Sequence, residues 1–203
     1  MPTTLQLLKY LDSFQELSEE ERAELSEICR PLFLPKKTKL VETGNTFDHL
    51  FVLTNGLLRW SFDTDDGTEN NIFFTSEKDH TIIIGIPEFY NDIKTTKYTI
   101  EAAVDTQLLL FPKDQFEELA FQHKGIYQLY IKSLKVVIDT LRKRIEQFCS
   151  DSPSSRYENL LESRPFIARN ANLKHLATFL GITPNSLSRL TARLHSKIRS
   201  YKK

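Results

Sequence analysis

Between residues 32 and 111 apolar residues arrive in short bursts, rich in β-branched and aromatic types and separated by turn residues. The bursts cover 32–34, 39–41, 50–53, 57–62, 70–74, 81–84, 98–104 and 107–111. Eight short strands at near-regular spacing predict an all-β sandwich or jelly-roll barrel. Asp65-Asp66-Gly67 lies between the fourth and fifth bursts and is hairpin chemistry, because glycine supplies positive φ at no steric cost. Ahead of the strands, residues 3–11 and about 18–30 read as helices. The second opens on Ser18 with Glu21 three places on, the spacing of a capping box.

From Asp114 onward the apolar period becomes helical. Tyr127, Ile131, Leu134, Ile138, Leu141, Ile145 and Phe148 recur in strict steps of four and three, with isoleucine in one register and leucine mostly in the other. In parallel coiled coils that arrangement favours two strands, which predicts a homodimer seam. A second stripe, Ile126, Leu129, Tyr130, Val136 and Val137, suits packing on the chain's own barrel, and the two stripes are compatible on one helix. Residues 150–155, Ser-Asp-Ser-Pro-Ser-Ser, read as a linker, and 156–163 as a short helix ended before Pro165. The fold expected is α+β: a β jelly roll with flanking helices over 1–113, a long dimerisation helix over 114–149, and a small all-α domain over 150–203.

The last segment carries the most specific pattern. Leu173, Leu176, Ala177 and Leu180 form one helical stripe, and Gly181 stops it with Ile182 positioned to fold back on Ala177. Thr183 follows as N-cap and Pro184 as first helical residue. The next helix buries Leu187, Leu190, Leu194 and Ile198 and leaves Asn185, Ser188, Arg189, Ala192 and Arg193 on the other side. These are donors, acceptors and small residues suited to base edges or phosphates, so the pair of helices reads as a helix-turn-helix. An ordinary helical hairpin with a solvated face is the competing reading, and charge decides between them.

The chain carries 27 basic and 27 acidic residues in 203. From Arg164 to the end there are nine cations and no acid, which leaves 18 basic against 27 acidic residues in the first 163. A concentrated positive field marks a polyanion binder. A membrane surface fits poorly, because the basic face lacks the tryptophan or phenylalanine of an interfacial helix. No apolar run approaches the roughly 20 residues of a membrane span, and the N-terminus lacks signal-peptide character, so a cytoplasmic location is expected. Cys29 and Cys149 are isolated from one another, which argues against a disulfide framework or a zinc ribbon. A cupin-type enzyme would need clustered metal ligands, yet His49, His80, His123, His175 and His195 are scattered and Asp65-Asp66 is explained by the turn. No enzyme activity, metal or cofactor is expected.

Taken in order, these parts resemble the Crp/Fnr family of transcription regulators along essentially the whole chain. Leu176-Ala177, Leu180-Gly181-Ile182-Thr183 and Ser186-Leu187-Ser188-Arg189 are similar to the family's reading head. Glu42-Thr43-Gly44, Leu50-Phe51-Val52-Leu53 and Gly56 are similar to the opening of a cyclic-nucleotide-binding domain. Arg156-Tyr157 ahead of Arg164-Pro165 is similar to the short regulators typical of the Bacteroidetes. The resemblance implies a homodimer on double-stranded DNA, with RNA polymerase as a further candidate partner. It places Pro184, Asn185 and Arg189 at base edges. With the polar face and N-cap just described, the DNA-binding set expected is Lys174, Thr183, Pro184, Asn185, Ser186, Ser188, Arg189, Arg193 and Lys197. After the reading helix there is no room for the family's usual β-hairpin wing, so phosphate contacts fall to Arg193, Lys197, Arg199 and the terminal lysines.

The ligand pocket departs from the family pattern. Where relatives that bind cyclic nucleotides carry an Arg-Ser pair, this chain has Thr96 and Lys97, and Glu88 stands in the place of the ribose-binding acid without its Gly-Glu neighbours. A neutral hydroxyl and a flexible point charge replace a planar fork matched to phosphate. Cyclic AMP is therefore not expected to bind, and the effector is left open. The alternative function is a small-molecule-binding or scaffold dimer whose degenerate reading head no longer recognises DNA.

Overall fold

Alternation within the strands resolves into two stacked four-stranded sheets. The structure, a computed structural model, describes residue 11 and residues 15–79, 83–85 and 95–200, with backbone alone for 79, 83, 84 and 194–200. Helix α1 (Glu19–Ile28) leads into β1 (Arg30–Leu34), β2 (Lys39–Val41), β3 (His49–Asn55), β4 (Leu57–Asp63), β5 (Glu69–Ser76), β6 (Ile83–Ile84), β7 (Thr99–Ala102) and β8 (Thr106–Pro112). One sheet runs β1-β8-β3-β6 and the other β2-β7-β4-β5, every pair antiparallel. This is the jelly-roll order, with two open sheets in place of the closed barrel. All eight expected strands form, and residues 81 and 82 of the sixth lie outside the described residues, as do 3–10 of the first expected helix.

Leu50, Phe51, Val52, Leu53, Leu58, Trp60, Ile100, Ala102, Leu108, Leu109 and Phe111 belong to one core built on both faces of the strands, between the sheets and under the flanking helices. Each such side chain removed from water contributes roughly 1.5–3 kcal/mol before conformational entropy is set against it. Gly56 joins β3 to β4 at φ +111°, and a Cβ there would meet Thr106 Cα at 2.7 Å. The β4–β5 hairpin closes as Thr64 N–H donates to Thr68 O at 3.0 Å and Gly67 N–H to Thr64 O at 2.8 Å.

The long helix is shorter than its sequence period suggested. Helix α2 (Lys113–Gln122) is separated from α3 (Lys124–Ser150) by His123, whose backbone is extended at φ −122°, ψ 119°. The cause lies in α1. Its capping box is complete, and Glu21 also accepts the Gly125 N–H at 2.7 Å, while His123 Nε2 lies 3.0 Å from Glu24 Oε2. A carboxylate distant in sequence thus caps α3, a contact no local pattern encodes. The expected linker shrinks as well, because Ser152 accepts from Ser155 N–H and Pro153 begins α4 (Pro153–Ser163). Serine before proline signals a helix start as well as a loop. Three helices complete the chain: α5 (Pro165–Asn170), which the sequence reading did not separate out, α6 (Leu173–Phe179) and α7 (Pro184–Ser200).

The two stripes of α3 differ in burial, and Val136 and Val137 of the first are only half-buried. Ile126 and Leu129 are fully buried on the sheets, with Tyr130 packed beside them. On the other side Tyr127, Ile138, Leu141, Ile145 and Phe148 stay exposed, by 63% at Ile138 and 65% at Ile145, and Ile131 and Leu134 are half-buried.

Candidate nucleic-acid interface

The turn between α6 and α7 forms as its residues dictate. Gly181 takes φ +70°, its N–H donates to Thr178 O at 3.0 Å, and the Ile182 N–H reaches back to Ala177 O at 3.0 Å. These bonds satisfy carbonyls that a helix end leaves open. Leu180 is the C-cap, so α6 ends one residue earlier than its apolar stripe. Thr183 Oγ1 accepts from Ser186 N–H at 3.1 Å and lies 2.9 Å from Ser186 Oγ. Both hydroxyls are therefore occupied in holding the start of α7. Leu176, Ala177, Phe179, Leu180, Leu187 and Leu190 bury together with Tyr157, Leu160 and Ile167 in a second core.

Of the residues expected to bind DNA, all whose side chains are described are exposed. Lys174, Thr183, Pro184, Asn185, Ser186, Ser188, Arg189 and Arg193 are all exposed. Lys197 stands on α7, but its side chain lies outside the described residues, as do those of Leu194 and Ile198. The pocket set is not uniform in this way. Thr96 is buried, its Oγ1 accepting from Tyr98 N–H at 3.0 Å and its backbone pairing with Gly44 and Asn45. Lys97 is exposed, and Glu88 lies outside the described residues. Trp60 and Phe51 are buried in the core, with ring centroids 6.1 Å apart.

A feature missed by sequence reading fixes how the helix-turn-helix sits. Helix α6 packs on the outer face of β5: Phe74 meets Phe179 edge-on at 5.2 Å, and Asn71 donates from its backbone and side-chain nitrogens to Thr178 Oγ1 at 3.1 and 2.9 Å. Three guanidiniums fasten the junction through carbonyls, Arg144 to Phe179 O at 2.8 Å, Arg156 to Leu180 O at 3.0 Å and Arg164 to Phe74 O at 2.6 Å. Two of them cap the C-terminal end of α6, where a helix dipole favours cations.

Beneath this contact Arg59 lies on β4, its Nε and Nη2 each 3.0 Å from a Glu101 oxygen and its Nη1 2.7 Å from Glu69. Burial alone would lower the guanidinium's pKa, and the two carboxylates outweigh it and raise it. Burial likewise works to raise Glu69, and the Arg59 bond and charge hold it below the usual carboxylate range. The signal was present in the sequence: a charged residue inside Leu57-Leu58-Arg59-Trp60 breaks an otherwise apolar strand.

His175 of α6 faces that network, 3.7 Å from Glu69. Its pKa lies below 6.5 nonetheless, because burial and the Arg59 charge outweigh the carboxylates. A base depressed in the folded state stabilises the fold above its unfolded value and loses that contribution as pH falls. The thermal stability of the wild type is thus expected to fall as pH drops below 6.5, and His175→Gln to flatten that slope. Parallel wild-type and variant curves between about pH 5 and 8 would remove His175 from the account.

Comparison with known proteins bears on both halves. Residues 31–123 match the cyclic nucleotide-binding domain family. That domain runs from β1 to the break at His123 and so covers both sheets and α2. No curated protein matches the chain by sequence. The fold is shared with a Crp/Fnr-family transcriptional regulator from Eubacterium rectale at TM-score 0.70 and 16% identity, over 93% of this chain and 88% of that one. FixK2 from Bradyrhizobium japonicum gives TM-score 0.66 at 14% identity over 84% and 86% of the two chains. The c-di-GMP-responsive global regulator CLP of Xanthomonas campestris gives 0.66 at 14% over 89% and 93%. At these identities the likeness is one of fold, and it extends past the cyclic nucleotide-binding domain into the helices that follow. Among the described residues no helix is long and apolar enough to cross a membrane, and no group of His, Cys, Asp or Glu is arranged to hold a metal.

Proposed function

We propose that this chain is a homodimeric, DNA-binding transcription regulator of Crp/Fnr type, from the short subgroup the sequence resembles. The observation that carries the reading is the outward face of α7, where Asn185, Ser188 and Arg189 are exposed while Leu187 and Leu190 anchor the helix from behind. A helix held so enters a major groove with its N-terminal residues toward base edges, where arginine pairs bidentately with guanine. The cations of the last forty residues supply the phosphate contacts that set register. The exposed seam of α3 supports pairing of two chains, which presents two reading heads to a palindromic site.

Mobility shifts on DNA from upstream of its own gene test this reading, which requires a salt-sensitive, sequence-selective complex. If none forms, the chain is a ligand-binding or scaffold dimer with a silent reading head. Arg189→Ala is expected to weaken the specific complex by roughly 1–3 kcal/mol and to spare non-specific binding. A loss equal on all sequences would withdraw the base contact. The second part of the proposal is that cyclic AMP is not the effector, since Thr96 is consumed by its own turn and no guanidinium stands in its place. Calorimetric titration is expected to give no saturable heat at micromolar cyclic AMP, and low-micromolar binding would refute it.

A further inference from the structure

Beside the docked reading head, two adjoining hollows of about 480 and 320 Å³ share Lys78, Ser163 and Arg164 and form one open-mouthed groove. Its walls come from β5, the turn after it, α3, α4, α5 and the end of α6. Among the described residues five cations line it, Lys78, Lys143, Arg144, Arg164 and Arg169, and no acidic residue does. We infer that this groove is a binding site for a small phosphate-bearing anion, held between the cyclic nucleotide-binding domain and the reading head.

The central observation is Arg144. Its guanidinium donates to the neutral carbonyl of Phe179 and lies over the rings of Phe179 at 4.0 Å and Phe148 at 4.8 Å, and the residue is half-buried. Burial, with Arg164 and then Arg156 as like-charged neighbours, pushes its pKa down to about 10. A charge set among like charges in a partly buried site is a standing cost unless an anion joins it. Acids approach the two lysines, whereas Arg144 is bound to a carbonyl. Glu77 accepts from Gly56 N–H at 3.0 Å and lies 3.8 Å from Lys78, and Asp139 pairs with Lys143 at 2.8 Å on the exposed side of α3. Planar guanidiniums with two mobile ammoniums are the donor set that phosphate oxygens accept best. The size of the groove suits a molecule of nucleotide or sugar-phosphate dimensions.

Duplex DNA carries the same phosphate chemistry, but the geometry favours a small ligand. The site is concave, Arg144 and Arg164 are fixed to carbonyls, and none of the described side chains of α7 lines it. This inference does not depend on the DNA reading. Because the groove is walled by both parts of the chain, an occupant would also brace the seating of α6 on β5.

The test is titration of the full chain with sodium pyrophosphate at constant ionic strength. Saturable binding is expected, with Lys78→Gln plus Lys143→Gln weakening it at least tenfold and Lys36→Gln, which does not line the groove, leaving it unchanged. Both groove lysines have side chains more than 60% exposed, so the double variant is expected to fold, and its thermal unfolding checks that. Non-specific DNA binding is expected to stay within about twofold of wild type. The inference falls if no saturable binding occurs, if the double variant binds as tightly as wild type, or if DNA displaces pyrophosphate and the double variant loses DNA affinity in the same proportion. The last result would give these cations to the DNA interface.

Discussion

Replacing Ile138 and Ile145 together by glutamate is expected to turn a dimer into a monomer and to lower affinity for a paired operator by about 10²–10⁴-fold. Both side chains are more than 60% exposed on the protomer, and neither belongs to the core between the sheets. Four carboxylates brought to one seam repel, and the apolar area that would have been buried stays in water. With one reading head per molecule, the second half-site contact is no longer intramolecular. Analytical ultracentrifugation and mobility shifts at one salt concentration read the two effects, with far-UV circular dichroism confirming an intact protomer. A variant that still sediments as a dimer, or binds the operator as tightly, overturns the seam. Phe148 is the weakest member of the set, because its ring already lies under Arg144 and Arg156 and against Gly181.

Arg59→Ala is expected to cost about 3–5 kcal/mol of folding stability, because it strands two carboxylates that the guanidinium neutralises. For a chain of this size that is on the order of a 10 °C fall in melting temperature. The Arg59 side chain is 7% exposed and Glu101 16%, whereas Glu69 at 28% retains partial contact with water, which places the loss toward the lower end. Removing the whole network, Arg59→Met with Glu69→Gln and Glu101→Gln, is expected to recover part of the loss, since no charge is then left unpaired. Equal melting temperatures for the wild type and Arg59→Ala would show that the network is solvated and of no structural weight. Asn71 accepts from Arg59 at 3.3 Å and donates to Thr178, so the damage is expected to reach the seating of α6.

Sequence alone settled what local chemistry governs. Ser18 with Glu21, Gly181 with Ile182, and Thr183 with Pro184 each specify a helix end through bonds within a few residues, and each forms as read. Period-two bursts and the steps of four and three gave the strands and the two faces of α3, because burial follows the direction in which side chains leave the backbone. The charge imbalance and the exposed α7 face were legible for the same reason.

What only tertiary structure decided depends on groups far apart in the chain. Glu21 breaks the long helix by capping it at Gly125, the arginines of α3, α4 and the loop before α5 fasten α6 to β5, and the outward face of β5 is covered by a helix more than a hundred residues on. A side chain's periodicity announces that it will be covered, but not by what. The partner is chosen when distant polar groups must find hydrogen bonds away from water, and that choice exists only once the chain has closed on itself.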